Sequence, residues 1–520
     1  MHVPLTVNDF LRRATEVYPH RIGIIDEPDQ PAPSWGAITY AQVAGRATAL
    51  AAGLDGLGIA AGDRVAVVSH NSARLLTAMF GVCGSGRILV PINFRLTAAE
   101  IGYIVEHCGA RVLVVDPELD EALSSVTCEH RFVIGSQEEA DAMMPTGVEP
   151  RQWAGDENAT ATINYTSGTT ARPKGVELTH RNIWLNATVF GWQLGISDDD
   201  VYLHTLPQFH CNGWGLPFAA TAMGVPQVIL RKVDGAEILR RVQAHGVTVM
   251  AGAPAVANAI CDAAAQWDGP IPGAGRTRMV VAGAAPPTRT IERIEAELGW
   301  EFIQIYGLTE TTPLLTMNRR RTETDDLPST ERAMLLARAG VPALGVEVRT
   351  SPDGEIVARG NHVMRGYWQQ PDATADAIHP VSDDPGGPDW FHTGDGGSMD
   401  DDACVTISDR RKDVIITGGE NVSSIEVEDA IFSHPDVVEV AVIGVPDDKW
   451  GEMVMALVVP AAGASLTAED VIAHTHSKLA GYKCPKAVEF RDALDRTATG
   501  KLQKFKLRQP YWAGIDRGVN

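Results

Sequence analysis

Between about residue 40 and residue 290 the chain alternates short, uncharged apolar runs with longer segments whose apolar side chains recur at helical spacing. Val65-Ala-Val-Val68, Val112-Leu-Val-Val115, Val247-Thr-Val-Met250 and Met279-Val-Val-Ala282 are mostly β-branched, which predicts strands covered on both faces. Ala41 to Leu57 and Ile238 to His245 carry the periodicity of amphipathic helices. This alternation predicts an α/β fold, with a large N-terminal domain of layered α/β subdomains. After Glu310 the apolar pieces shorten around turn signals, Pro352-Asp-Gly354 and the Pro/Gly/Asp-rich run 383–389, which predicts a β-rich subdomain. The charged segment Ser408-Asp-Arg-Arg-Lys-Asp413 then precedes Val414-Ile-Ile416 and a fresh α/β pattern reaching about Phe505. The expected division is an N-terminal domain at 1–408, a hinge at 409–413 and a small α+β C-terminal domain at 414–520.

A length of 520 residues exceeds what one hydrophobic core usually serves. Hydrophobic residues at 44% and charged ones at 21% exclude collagen-like, coiled-coil and wholly disordered chains. Lys and Arg number 44 against 66 Asp and Glu, a formal charge of −22 that opposes non-specific attachment to nucleic acid or anionic membranes. Any anionic ligand must therefore find a local positive site. Cys83, Cys108, Cys128, Cys211, Cys261, Cys404 and Cys484 are scattered and form no C-x-x-C pair, which argues against a disulfide framework or zinc site and fits a reducing cytoplasm. The N-terminus has no basic segment followed by an apolar leader. Val201 to Leu230 lacks Asp, Glu, Lys and Arg, yet Pro207, Pro217, Pro226, His204, Gln208 and Asn212 suit a buried, pocket-forming segment better than a membrane span.

The most informative stretch is Asn164-Tyr-Thr-Ser-Gly-Thr-Thr-Ala-Arg-Pro-Lys-Gly175. Gly168 lets backbone amides approach a ligand, the hydroxyls of Thr166, Ser167, Thr169 and Thr170 can donate to phosphate oxygens, and Lys174 adds charge. It is not the common NTPase loop, because Pro173 stands where G-x-x-x-x-G-K needs glycine. Gly56-Leu-Gly58-Ile-Ala-Ala-Gly62 misses the dinucleotide fingerprint by one residue and follows a helical pattern. The pattern T-S-G-T-T-x-x-P-K-G resembles the adenylate-forming superfamily, which includes acyl-CoA synthetases, luciferases and carrier-charging adenylation domains. Ala171 departs from the glycine usual there. Further family-like motifs follow in the expected order over almost the whole chain.

The resemblance implies roles for individual residues. Gln304-Ile-Tyr-Gly-Leu-Thr-Glu-Thr-Thr312 matches Y-G-x-T-E, which places Tyr306 and Gly307 by the adenine, Thr309 on the α-phosphate and Glu310, with Thr169, on Mg²⁺. The backbone of Gly283, Ala284 and Ala285 would line the adenine, Asp395 in Phe391-His-Thr-Gly-Asp-Gly396 would accept the ribose hydroxyls, and Arg410 would add a ribose or phosphate contact. Lys412 would be the hinge that makes the C-terminal domain mobile, Gly418, Gly419 and Glu420 would build the thiol tunnel, and Lys501 would bridge carboxylate and α-phosphate. In Pro207-Gln-Phe-His-Cys-Asn-Gly-Trp214, similar to acyl-pocket segments, His210 would gate the acid and thiol sites. Phe209, Trp214, Gly215 and Leu314 would line the pocket, with Leu216, Phe218 and Leu315 as apolar neighbours. Taken singly, most of these residues would be ordinary turn, core or surface positions; order and spacing give them weight.

The function so implied is an ATP- and Mg²⁺-dependent acid–CoA ligase that forms an acyl-adenylate and then a CoA thioester. The expected acid is a medium- or long-chain fatty acid or an arylalkanoic acid. The alternatives are a stand-alone adenylation enzyme that hands its acyl group to a carrier protein or another nucleophile, and a nucleotide-binding regulatory descendant. A homodimer is compatible with all three.

Overall fold

The computed structural model describes residues 1–166, 172–410, 413–418, 420–447, 449–496 and 502–513. Among the described residues the strands form four sheets. The first, with seven strands, runs in the order Gly366–Tyr367, Lys174–Thr179, Thr160–Thr166, Ile88–Ile92, Arg64–Val68, Ala110–Val115, His130–Val133. Its last five strands are parallel, whereas Lys174–Thr179 and Gly366–Tyr367 add to its edge antiparallel. The second sheet has nine strands, and its parallel centre includes Tyr202–His204, Val249–Gly252, Arg278–Val281 and Glu301–Tyr306.

Val65 to Val68 and Val112 to Val115 are buried along their whole length, as expected of strands covered on both faces. The helices start where the sequence supplies caps. Thr39 and Gln42 form a reciprocal capping box at Tyr40–Gly56, Thr179 and Asn182 do the same at His180–Leu194, and the latter helix ends on Gly195 at φ 66°. Leu50, Met79, Phe190 and Phe218 join Val65 of the first sheet and Ile229 of the second in one apolar cluster, so the two sheets share a core.

Two expectations shift. The strand expected at Val247 is assigned to Val249–Gly252, although the Thr248 backbone already donates to the Val201 carbonyl at 2.9 Å and accepts from the Arg278 amide at 2.8 Å. The β-rich texture after Glu310 does not begin a new sheet at once: Thr316–Arg319 and Val341–Pro342 still pair onto the nine-stranded sheet. The third, antiparallel sheet starts at Val346–Thr350 and includes Glu355–Gly360, Trp390–Met399 and Val405–Arg410.

The fourth sheet holds Ile415–Thr417, Glu420–Val422, Val437–Asp447, Gly451–Pro460 and Ala487–Phe490, with the helix Ser424–Phe432 against it and an apolar cluster of its own. This unit is tied to the rest by Asp409 Oδ2, which accepts from the Ser424 amide at 2.9 Å, and by Asp429 Oδ1, which accepts from the Thr288 amide at 2.9 Å. Val201 to Leu230 is largely buried and contains two short strands and the helix Leu216–Ala222. Among the described residues no helix is long and apolar enough to cross a membrane.

Candidate active site

The candidate residues collect at the carboxyl ends of the parallel strands, where open α/β sheets place ligands. Strands Thr160–Thr166 and Lys174–Thr179 form a hairpin whose last pair is Thr166 opposite Lys174. The glycine and hydroxyl residues Ser167, Gly168, Thr169 and Thr170 between them lie outside the described residues, as do Lys412, Gly419 and Lys501. Arg278–Val281 and Glu301–Tyr306 are neighbours, so the loop bearing Gly283, at φ 90°, and the side chain of Tyr306 leave the sheet side by side. Ala284 and Ala285 in that loop are exposed.

Tyr306 reaches across to the third sheet. Its hydroxyl donates to Asp395 Oδ2 at 2.8 Å, and Arg410 Nε lies 3.1 Å from Asp395 Oδ1. Asp395 and Arg410 are register partners on adjacent strands. Burial, with the Asp395 charge second, raises the Tyr306 phenol well above its usual pKa, so it is a neutral donor. Burial works against the Arg410 charge, but Asp395 and Glu310 outweigh it and hold the guanidinium above its ordinary value. Asp395 is itself presented by its surroundings: its amide donates to Thr393 Oγ1 at 3.1 Å, and the Gly394 amide donates to Glu355 Oε1 at 2.8 Å.

Thr309 and Glu310 sit in a short 3₁₀ turn after Tyr306. Gly307 precedes it for a steric reason: a Cβ there would lie 1.5 Å from the carbonyl oxygen of Pro313. The turn is braced from behind, where the Met364 amide donates to the Glu310 carbonyl at 2.7 Å and Thr312 Oγ1 donates to the His362 carbonyl at 2.6 Å. Glu310 Oε1 accepts from the Tyr367 hydroxyl at 3.0 Å, and Lys174 Nζ lies 4.7 Å from the centre of the Tyr367 ring. The half-buried Glu310 carboxylate is a hard oxygen ligand. It suits Mg²⁺, which keeps several waters and takes further oxygens from phosphates.

His210 opens a turn in which Cys211, Asn212, Gly213, Trp214 and Gly215 all have φ between 44° and 83°. A run of left-handed residues is costly without support, and here it is pinned by buried amides. Asn212 Nδ2 donates to Thr162 Oγ1 at 3.0 Å, while Asn186 Nδ2 donates to the Trp214 carbonyl at 3.1 Å. Asn186 Oδ1 also accepts from the Leu314 amide at 3.2 Å, which joins the His210 turn to the loop after Glu310. Trp214 is 3% exposed, with its ring 6.4 Å from that of His210, and the Phe209 ring meets Phe94 edge to face at 5.6 Å. Gly215 has no room for a side chain, since a Cβ would lie 2.4 Å from Asn186 Nδ2. Phe218 packs on Phe10 and Phe80, 5.8 and 5.6 Å away, and shares one apolar cluster with Trp214, Leu216, Leu314 and Leu315. On the smaller unit, the Gly418 amide donates to the Trp450 carbonyl at 2.8 Å and Glu420 is exposed.

The structure thus brings together Tyr306, Asp395 and Arg410 in one cluster and Lys174, Thr309 and Glu310 around a second. Tyr367, Asn186, Asn212 and His362 were missed by sequence reasoning. For Asn212 a signal existed, since Cys-Asn-Gly is a composition suited to left-handed turns.

This arrangement defines a two-part α/β protein in which polar side chains from three sheets come together, Tyr306 from the nine-stranded, Asp395 from the antiparallel and Tyr367 from the seven-stranded one. The chain belongs to the AMP-binding enzyme family of the adenylate-forming superfamily: the AMP-binding enzyme family matches residues 11–368, and the AMP-binding enzyme C-terminal domain matches residues 426–501. It is similar to 2-methylpropanoate–CoA ligase CCL4 of Humulus lupulus, 35% identical over 97% of this chain and 95% of the relative. It is likewise 35% identical to 4-hydroxybutyrate–CoA ligase 2 of Metallosphaera sedula, over 96% of this chain and 93% of that one. Among solved structures, the anthranilate CoA ligase AuaEII in complex with anthranoyl-AMP superposes with a TM-score of 0.86 at 27% identity, covering 98% of each chain.

Proposed function

We propose that the protein is an ATP-dependent acid–CoA ligase. A carboxylate oxygen attacks the α-phosphorus of ATP and pyrophosphate leaves; the CoA sulfur then attacks the acyl carbon, its proton passes to solvent, and AMP leaves. The observation that carries the reading is the joining of Tyr306, Asp395 and Arg410 by contacts of 2.8 and 3.1 Å. A fixed carboxylate with two donors already attached is pre-organised for a vicinal diol, and the neighbouring Lys174 supplies positive charge for the phosphates. Glu310, with Thr169, would hold Mg²⁺, and Thr309 would contact the α-phosphate. When bound, the metal would neutralise the leaving pyrophosphate.

In the same reading Lys501 bridges the two reactants, Lys412 is the pivot between a domain at 1–408 and one at 414–520, and Gly418, Gly419 and Glu420 border the thiol path. His210 separates the acid from the thiol. Phe209, Trp214, Gly215, Leu216, Leu314 and Leu315 support an acid with an apolar body, each buried methylene contributing about 0.8 kcal/mol. A medium- or long-chain or arylalkanoic acid satisfies that; the acids named for the relatives above are short or aromatic, while another similar solved structure is a fatty acyl CoA synthetase of Mycobacterium tuberculosis. Scattered free cysteines suit a reducing compartment such as the cytoplasm.

The test is acid-dependent exchange of pyrophosphate into ATP with acids of graded length and aromaticity, followed by mass detection of the CoA thioester. Exchange without a thioester would favour a carrier protein as the acceptor. No exchange with any acid would overturn the reading.

A further inference from the structure

Tyr367 touches both charged groups of the second cluster and comes from a third part of the fold. Its strand, Gly366–Tyr367, leaves the β-rich layer and pairs onto the free edge of the seven-stranded sheet, Gly366 opposite Glu177 and Tyr367 opposite Val176. Backbone bonds clamp it on both sides: the Arg365 amide donates to the Glu177 carbonyl at 3.0 Å, and the Trp368 amide to the Gly175 carbonyl at 2.7 Å. The Tyr367 amide donates to Thr374 Oγ1 at 2.9 Å, whose hydroxyl donates to the Gln370 carbonyl at 3.0 Å. The ring position is therefore set by the protein's own backbone before any ligand arrives.

From that fixed position the two ends of the side chain do different work. The hydroxyl donates to Glu310 Oε1 at 3.0 Å and occupies that oxygen. The ring face carries Lys174 Nζ 4.7 Å from its centre, within the range of a cation–π contact.

We propose that Tyr367 is a positioning residue for the adenylation step: it fixes one oxygen of Glu310 so that the other faces the divalent cation, and it seats the Lys174 ammonium beside the phosphate loop. The proposal rests on the ligase reading above. It makes the hydroxyl and the ring separable, one acting on metal affinity and the other on nucleotide affinity.

The test compares Tyr367→Phe, which keeps the ring, with Tyr367→Leu, which removes ring and hydroxyl. ATP binding is measured by calorimetry in the presence of a chelator. Mn²⁺ binding to the enzyme with α,β-methylene-ATP is followed by electron paramagnetic resonance, and pyrophosphate exchange gives KM for the acid. Tyr367→Phe is expected to weaken Mn²⁺ binding about tenfold, the loss of a hydrogen bond to a charged group, while metal-free ATP affinity and KM for the acid stay at wild-type values. Tyr367→Leu is expected to weaken metal-free ATP binding by about threefold in addition.

Unchanged Mn²⁺ affinity in Tyr367→Phe overturns the proposal, and so does an equal loss of metal-free ATP affinity in both variants. The phenylalanine variant decides the Glu310 half alone if the leucine variant does not fold. Wild-type enzyme that binds neither ATP nor the analogue overturns the ligase reading instead, and this proposal with it.

Discussion

Tyr306 and Asp395 lie 89 positions apart on strands of different sheets, and a 2.8 Å hydrogen bond joins them. The bond fixes the aspartate that also faces Arg410, and it couples the nine-stranded sheet to the antiparallel one at the cleft.

Removing the charge at that point tests its role. Asp395→Asn keeps the size but removes the countercharge that touches Arg410, so kcat/KM for ATP should fall about tenfold or more, the scale of a hydrogen bond to a charged group. KM for the acid should move far less. Steady-state kinetics with each substrate varied in turn checks the split.

Gly307→Ala should damage both stability and turnover. Its Cβ would fall 1.5 Å from the Pro313 carbonyl oxygen, so the loop bearing Glu310 must move. Overpacking of this kind costs about 1–3 kcal/mol, read as a shift of the urea midpoint at unchanged slope.

The fold was legible wherever the chemistry is local. Runs such as Val65 to Val68 announce strands covered on both faces. The strand edge is the limit: the expected start at Val247 falls two residues before the strand Val249–Gly252. Tyr367 and Asn186 were not legible at all: their partners Glu310 and Leu314 are 57 and 128 positions away, and nothing in either residue's own segment marks it.

Asn186→Leu should separate pocket from nucleotide. It leaves the Trp214 carbonyl and the Leu314 amide unsatisfied in a buried place, which costs about 1–3 kcal/mol. The His210 turn and the Leu314 loop should then loosen together. KM for the acid is expected to rise while KM for ATP stays close to wild type.

Acid should destabilise the protein through His180. Burial lowers its pKa from 6.5 to about 4, and its Nδ1 accepts the Val7 amide at 3.3 Å, which requires that nitrogen to be unprotonated. Because the folded-state value lies below the unfolded one, the unfolded chain binds more protons between these limits. The stabilisation is complete above about pH 6.5 and is lost as pH falls toward 4, up to roughly 3 kcal/mol from this side chain. Urea unfolding at a series of pH values should show the decline, with a shallower slope in His180→Gln.

Lys501→Ala should abolish exchange of pyrophosphate into ATP by about a hundredfold or more and leave thioester formation from supplied acyl-adenylate little changed. Equal loss of both steps would remove Lys501 from the first step alone.

The most direct measurement is the fate of ATP. Enzyme, ATP, Mg²⁺, CoA and a panel of acids are combined, and nucleotides and thioesters are quantified together by mass spectrometry. AMP, pyrophosphate and acyl-CoA should appear in equal amounts and only with acid present; release of ADP, or AMP formed without regard to acid, would contradict the account.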